Sequence, residues 1–154
     1  MKRNLSAKVL TALAGRRLAT AESLTGGGIG QAITSVSGAS AVFAGGVISY
    51  TNEAKNRVLG VPMDILDTCG AVSAPVAKAM AEGARSVIGA DVAVAVTGLA
   101  GPDGDEFGNP VGTVFIGYAD ETTAFAREYH FSGDRAAVRE QTICAALALV
   151  LEMN

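Results

Sequence analysis

Five consecutive apolar residues at 92–96 (VAVAV) constrain the fold more than any other stretch of this sequence. A strand with one solvated face alternates apolar and polar side chains, whereas a strand covered on both faces is apolar throughout. Apolar residues with helical spacing flank the run, at about 74–88 and 135–152. We therefore predict a central strand in a sheet that has helices packed on both of its faces.

The remaining patterns alternate strands with helices and include one hairpin. This arrangement predicts an α/β fold, a three-layer α/β/α sandwich with a mixed, mostly parallel sheet. The 154 residues contain no internal repeat and no linker, so we expect a single domain spanning 1–154. Further helices are predicted at 3–16, through Ile29 and Ile33, and at 62–69, and further strands at 18–21, 111–118 and 122–131.

The segment 38–60 (GASAVFAGGVISYTNEAKNRVLG) predicts a serine-bearing loop, a strand and a short helix, in that order. The glycine pair at 45–46 predicts a turn or a close backbone approach ahead of a strand that ends near Tyr50. Asn52 is predicted to cap the helix, and the final glycine of the segment to end it. Lys55 then lies in the first turn, where the helix dipole disfavours a cation.

Lys55 has two interpretations. It is either a solvated surface lysine or an amine kept partly neutral for use as a base. A strand–turn–helix unit can bring a serine, Tyr50 and this lysine together at one rim, and a serine with a lysine base is a known nucleophile–base pair. Spacing alone does not choose among Ser37, Ser40 and Ser49 as the nucleophile.

Two predicted helix starts are suited to bind an anion. The turn 25–28 (TGGG) follows a strand and opens a helix, where backbone N–H groups receive anions, although it matches neither a P-loop nor a dinucleotide fingerprint. Arg135 and Arg139 lie near the start of the last helix, where a bound phosphate would explain a cation that the helix dipole disfavours. The alternative is a surface arginine paired with Glu128 or Glu140.

The loop 99–110 is rich in glycine, proline and aspartate and follows the predicted central strand. Ligands of open α/β sheets collect at such strand ends, and loops of this length are commonly functional. Asp103, Asp105 and Glu106 lack the spacing of a calcium-binding loop, so we expect a solvated acidic loop. His130 has no partner histidine or cysteine and is interpreted as structural, so we predict no metal site.

Composition excludes two classes of partner. With a net charge of −3, 5% aromatic residues and no tryptophan, the chain lacks both the basic surface and the stacking side chains typical of nucleic-acid-binding proteins. It has no run of 18 apolar residues that could span a membrane, and no signal-peptide pattern. Cys69 and Cys144 lack metal-ligand spacing, so we expect free thiols and a cytoplasmic location.

Six motifs occur together, in one order, and cover the chain from about residue 4 to 152. They are TAESLTGGGIG (20–30), SGASAVFAGGVISYTNEAKNRVLGV (37–61), GAVSAPVAKAMAEGA (70–84), VAVTGLAGPDG (94–104), NPVGTVFIG (109–117) and FSGDRAAVR (131–139). This set closely resembles the CinA C-terminal-domain family, whose fold is a three-layer α/β/α sandwich. The family includes nicotinamide mononucleotide deamidases, which hydrolyse the pyridine carboxamide to nicotinic acid mononucleotide and ammonia. The resemblance implies an amidohydrolase that acts on a small pyridine nucleotide without a cofactor.

The resemblance also implies roles for single residues. The family's nucleophile falls on Ser40, its lysine base on Lys55 and its supporting tyrosine on Tyr50. Thr97 matches a hydroxyl position in the substrate pocket, and Arg135 matches the substrate-binding arginine.

Four residues match the family's turn that faces the ligand: Glu22, Ser23, Gly26 and Gly27. Leu24 departs from the pattern, because a cysteine is common there, but the flanking residues are retained. We therefore expect this turn to contribute to substrate binding.

The main alternative to an enzyme is a non-catalytic nucleotide-binding or regulatory protein, in keeping with the family's label of competence and damage-inducible protein. The intact Ser40, Tyr50 and Lys55 favour the enzyme. Some family members carry an additional N-terminal molybdopterin-binding-like domain, and we expect this sequence to be the stand-alone form. The sequence leaves open the preferred pyridine nucleotide or amide and whether the chain forms a homo-oligomer.

Overall fold

The fold is described by a computed structural model that covers residues 1–154. Every predicted helix and strand is present, and the loop 99–110 contains neither. The helices are α1 (Lys2–Ala12), α2 (Gly28–Thr34), α3 (Asn52–Leu59), α4 (Met63–Cys69), α5 (Ala74–Ile88) and α6 (Arg135–Met153), with a single-turn 3₁₀ helix at Ala39–Ala41. The strands are β1 (Leu18–Glu22), β2 (Phe43–Ile48), β3 (Val92–Gly98), β4 (Thr113–Ala119) and β5 (Ala124–His130).

The five strands form one sheet in the order β2-β1-β3-β4-β5. β1 pairs in parallel with both β2 and β3. The β3–β4 and β4–β5 pairs are antiparallel, the latter being the predicted hairpin. The prediction of a mixed sheet is confirmed, but its description as mostly parallel is loose, because as many strand pairs are antiparallel as parallel.

Helices cover both faces of the sheet, which confirms the three-layer α/β/α sandwich. On one face, α1, α2 and α6 pack over Val92, Val94 and Val96. On the other face, α3, α4 and α5 pack over Ala93 and Ala95. All five residues are fully buried, so β3 is the central strand that its apolar run predicts.

β2 begins earlier than the sequence suggests. Gly45 and Gly46 lie within the strand, so the predicted turn ahead of it is wrong, whereas the alternative of a close backbone approach holds at Gly46. A Cβ on Gly46 would lie 2.2 Å from Thr20 Oγ1 on the neighbouring β1. The close approach of the two strands therefore explains a glycine at a position that would otherwise favour a branched residue.

The start of α3 also differs by one residue from the prediction. Thr51 is the N-cap, and its Oγ1 accepts a hydrogen bond from the Ala54 N–H at 3.1 Å. Asn52 is instead the first residue of the helix. The C-terminal end agrees with the prediction, because Gly60 ends the helix with a φ of +71°.

Close packing against α5 fixes the position of α3. A Cβ on Gly83 of α5 would lie 1.9 Å from the carbonyl oxygen of Leu59, the last residue of α3. Only a glycine permits the two helices to come this near. The contact matters for function because α3 carries Lys55.

The sheet order creates a crevice at the C-terminal ends of β1 and β3. From β1 the chain passes to β2 on one side, and from β2 it crosses to β3 on the other side of β1. Ligands of open α/β sheets bind at such a switch point, outside the carboxyl ends of the strands. The topology thus indicates where to look for a site.

Candidate active site

A cleft of about 330 Å³ opens at this switch point, at the lower end of the roughly 300–1,000 Å³ of small-molecule sites. Its walls come from the segments that follow β1, β2 and β3 and from the first turns of α3 and α6. The lining includes several residues named from the sequence, Ser23, Tyr50, Lys55, Thr97 and Arg135. The fold therefore gathers residues separated by more than a hundred positions into one site.

Lys55 is buried in this cleft, with 1% of its surface exposed. Its Nζ donates hydrogen bonds to the Ser49 carbonyl oxygen at 2.8 Å and to Ser23 Oγ at 3.1 Å, and no carboxylate pairs with it. Burial lowers the pKa of the Lys55 amine from 10.5 to about 8, because the charged form loses its hydration. The interpretation as a solvated surface lysine is therefore wrong.

Ser23 directly follows β1, and its hydroxyl contacts the amine of Lys55. β1 and β2 are parallel neighbours, so their carboxyl ends meet, and the Ser49 N–H donates to the Glu22 carbonyl at 2.8 Å. Ser23 was expected in a ligand-facing turn, but the sequence did not predict its contact with Lys55. The signal that could have identified the pair is that each residue follows one of two adjacent parallel strands.

Glu22 contacts the start of α2 rather than the cleft. Its buried carboxylate accepts hydrogen bonds from Thr25 Oγ1 at 2.6 Å, from the Ile29 N–H at 2.8 Å and from the Gly30 N–H at 3.0 Å. It thereby satisfies backbone donors that a helix start leaves without partners. Contrary to expectation, the structure does not bring Glu22 to the substrate cleft.

The backbone of the glycine turn at 25–28 also forms hydrogen bonds within the chain and does not face the cleft. Gly26 and Gly27 have φ values of 59° and 102°, and neither lines the cleft. The Gly26 N–H donates to the Ser23 carbonyl at 3.1 Å, and the Gly28 N–H donates to the Thr25 carbonyl at 3.0 Å. The turn therefore shapes the backbone beside Ser23 and does not form the expected anion site in the cleft.

Arg139 anchors the loop that carries Ser23. Its Nε donates to the Leu24 carbonyl at 2.9 Å and its Nη2 to the Thr25 carbonyl at 3.3 Å. The N–H groups of Leu24 and Thr25 themselves donate to no acceptor in the chain. The guanidinium is thus engaged with backbone, which contradicts the hypothesis that Arg139 shares an anion with Arg135.

Arg135 and Tyr50 meet at the exposed mouth of the cleft. Arg135 Nη1 donates to the Gly101 carbonyl at 2.7 Å, and its Nη2 donates to Tyr50 Oη at 3.1 Å. Neither Glu128 nor Glu140 pairs with this arginine, so the alternative of a surface ion pair is wrong. The contacts link the loop 99–110 to the segment after β2 across the opening.

Thr97 lies near the end of β3 and lines the cleft, although only 1% of its surface is exposed. Its Oγ1 donates a hydrogen bond to the Ala71 carbonyl at 2.9 Å. This bond uses the single proton of the hydroxyl, so the oxygen remains free to accept from a ligand.

Ser40 lies away from this site within one chain. It is an exposed residue of the 3₁₀ helix before β2, and it lines a separate depression with Ser37 and Phe43. Lys55 follows the same strand, whose six residues span about 20 Å. The expected pairing of Ser40 with Lys55 is therefore wrong within one chain, because an intervening strand separates them.

The other two serines considered from the sequence also lack the required position. Ser37 is exposed at the same end of β2 as Ser40. Ser49 is fully buried, its Oγ has no hydrogen-bond partner, and it does not line the cleft. Ser49 contributes its carbonyl oxygen, which accepts from Lys55.

The acidic loop is held by hydrogen bonds among its own residues. The Asp105 carboxylate accepts hydrogen bonds from the Phe107 N–H at 3.1 Å and from the Asn109 N–H and Nδ2, both at 2.9 Å.

No three histidine, cysteine, aspartate or glutamate side chains in the chain cluster so as to hold a metal ion. None of the helices is both long enough and apolar enough to cross a membrane.

Comparison with known protein families gives one match over nearly the full chain. The sequence model described as CinA C-terminal domain matches residues 2–154. Solved structures with the same fold include a competence-damaged protein (CinA) superfamily protein from Escherichia coli, with a TM-score of 0.98, 34% identity and coverage of 100% of this chain and 91% of that one. The competence damage-inducible protein A from Klebsiella pneumoniae has a TM-score of 0.96 and 37% identity, covering 98% and 95% of the two chains.

Two curated relatives that match the chain differ in length. The chain is 49% identical to the nicotinamide-nucleotide amidohydrolase PncC of Pseudomonas putida, over 90% of this chain and 86% of that protein. It is 53% identical to a CinA-like protein of Geobacter sulfurreducens, over 86% of this chain but only 32% of the relative. The chain thus spans about a third of the length of CinA-like relatives and most of the length of PncC.

Proposed function

Because the chain belongs to the CinA C-terminal domain family, we propose that it is an amidohydrolase that converts nicotinamide mononucleotide to nicotinic acid mononucleotide and ammonia. The match to a relative named nicotinamide-nucleotide amidohydrolase, over 90% of this chain, supports the reaction and the substrate class. The CinA-like names of other relatives are silent on activity.

The observation that carries this proposal is the buried amine of Lys55 in contact with a serine hydroxyl. Hydrolysis of an unactivated amide requires a nucleophile and a group that removes its proton. An amine with a pKa of about 8 is partly neutral near pH 7, so it can accept that proton. Lysines with a lowered pKa in a cleft are typical of functional sites, where they serve as bases or nucleophiles.

Other residues of the cleft suit the remaining parts of the substrate. The Thr97 hydroxyl oxygen can accept a hydrogen bond from the amide nitrogen, because its own proton is already donated to Ala71. Arg135 lies at the mouth of the cleft. Its guanidinium can form bidentate hydrogen bonds with the phosphate once its hydrogen bonds to Gly101 and Tyr50 are broken. The carboxamide would then lie inside the cleft and the phosphate near solvent.

The test is ammonia release from nicotinamide mononucleotide, the riboside and free nicotinamide by the purified protein, with the product identified by mass spectrometry. Lys55→Met, purified in parallel, excludes a contaminating deamidase. We expect release from the mononucleotide by the wild-type protein alone. Binding of the mononucleotide without release of ammonia would instead favour the regulatory alternative.

A further inference from the structure

We infer that Ser23 is the nucleophile of the proposed hydrolysis, an inference that rests on the proposed function. The resemblance to the family assigns this role to Ser40, but Ser40 and Lys55 lie at opposite ends of β2. A base must lie within hydrogen-bond reach of the hydroxyl that it deprotonates. Ser23 is the residue whose hydroxyl meets this condition, at 3.1 Å from Lys55 Nζ.

The second contact of Lys55 orients the amine for this task. A neutral amine carries two protons and one lone pair, and the Ser49 carbonyl at 2.8 Å can accept only from a proton. With that N–H directed to Ser49, the lone pair is free to accept the proton of Ser23 Oγ. The hydrogen bond between the two side chains then runs from the serine to the lysine, as an attacking hydroxyl requires.

The backbone after Ser23 offers N–H donors to a tetrahedral intermediate, beginning with Leu24, which lines the cleft. An oxyanion is commonly held by the N–H of the residue after the nucleophile together with a second backbone N–H. The N–H groups of Leu24 and Thr25 have no acceptor in the chain. The Leu24 carbonyl, which shares a peptide group with the Thr25 N–H, accepts from Arg139 Nε. The Ser23 carbonyl, which shares a peptide group with the Leu24 N–H, accepts from the Gly26 N–H at 3.1 Å, so both peptide groups are restrained.

The reaction balances with these groups alone. Ser23 Oγ forms a bond to the carboxamide carbon as its proton passes to Lys55 Nζ, and the amide oxygen becomes negative. The carbon–nitrogen bond then breaks, and the leaving nitrogen takes the proton from Lys55 and departs as ammonia. Water attacks the resulting ester and gives its proton to Lys55, which returns it to Ser23 Oγ as the carboxylic acid product forms.

The experiment begins with single-turnover ammonia release from nicotinamide mononucleotide by the wild-type protein, Ser23→Ala, Ser40→Ala and the exposed control Ser37→Ala. We expect Ser23→Ala to lose on the order of 10³-fold or more of the rate, and both other variants to retain it. A wild-type protein that releases no ammonia would overturn the proposed function. An active wild type with an equally active Ser23→Ala would overturn the inference alone.

Acid quenching during turnover by the wild-type protein, followed by mass spectrometry, locates the acyl group directly. Trypsin leaves Ser23 and Ser40 in one peptide, residues 18–55, because no lysine or arginine lies between them, so fragmentation of that peptide must resolve them. An adduct on Ser23 supports the inference, and an adduct on Ser40 overturns it. The measurement uses wild-type protein and therefore decides the matter even if Ser23→Ala fails to fold.

Discussion

The two ends of β2 carry serines in opposite surroundings. Before the strand, Ser37 and Ser40 are exposed, and β2 separates them from Lys55. Beyond it, Lys55 is buried, its pKa is lowered to about 8, and it contacts Ser23 from the adjacent strand end. The residue type is the same, so the difference lies in burial and in the residues that follow the neighbouring strand β1.

Removal of the base, Lys55, should produce the largest fall in the rate of hydrolysis. Lys55→Met is expected to lower kcat by about 10²–10⁴-fold, the usual contribution of a general base. Lys55→Arg should be equally impaired, because arginine does not deprotonate in a protein. Steady-state ammonia release measures both, with the exposed Lys8→Met as a control that keeps full activity. An active Lys55→Arg enzyme would mean that the residue supplies only positive charge.

Loosening the loop beside Ser23 should have the next largest effect. Arg139→Ala removes the hydrogen bonds to the Leu24 and Thr25 carbonyls, and a misplacement of about 1 Å in a reacting group can cost about 100-fold in rate. We expect kcat to fall by about that factor while KM for the mononucleotide changes little, since Arg139 does not line the cleft. The exposed Arg3→Ala is the matched control. A change confined to KM would contradict the positioning role.

At the mouth of the cleft, Arg135→Ala should affect binding rather than chemistry. A hydrogen bond to a charged group contributes roughly 1.5–3 kcal/mol, or about ten- to a hundred-fold in affinity. KM for the mononucleotide should rise by that factor, with a smaller rise for the riboside, which has no phosphate. Equal losses on the two substrates would show that Arg135 acts on the scaffold or on the reacting amide.

The smallest expected effect is that of pH on the wild-type protein. The active form is the neutral amine, and the Lys55 pKa is lowered to about 8, so kcat/KM should rise with pH and reach half its maximum near pH 8. Between pH 7 and pH 9 the neutral fraction rises about tenfold. Initial rates over this range measure the profile. A rate that falls as pH rises would contradict the assignment of Lys55 as a base.

The titration of Lys55 should also make the folding stability depend on pH. An unfolded lysine keeps its proton up to about pH 10.5, whereas the buried Lys55 amine loses it near pH 8. Between these values the unfolded state binds more protons, so this group makes the protein more stable as pH rises. Below pH 8 the cost of burying the charged amine remains in full.

Much of the fold was predictable because its signals are local and periodic. The apolar run of β3, the helical spacing of α5 and α6, and the hairpin of β4 and β5 all appear where the sequence indicates. The errors occurred where a neighbour decides the conformation. Gly45 and Gly46 are residues typical of a turn, but they lie in β2, and at Gly46 the neighbouring β1 approaches too closely for a side chain.

The site was less predictable, because its central contact joins two separate strand ends. Lys55, Tyr50, Thr97 and Arg135 were identified by motif, and all of them line the cleft. The Ser23–Lys55 contact spans 32 positions and depends on the parallel pairing of β1 and β2, which no local pattern encodes. The resemblance to the family favoured Ser40 instead, although the strand between Ser40 and Lys55 carries the two residues apart.

The burial of Lys55 without a carboxylate has a consequence for product inhibition. Under the proposed function, the reaction replaces a neutral carboxamide beside this amine with a carboxylate. A carboxylate next to the amine favours the ammonium form and raises the pKa of Lys55. The product therefore forms the ion pair that the free protein lacks. Product should therefore dissociate more slowly as pH falls, and accumulating nicotinic acid mononucleotide should slow turnover most in acidic solution.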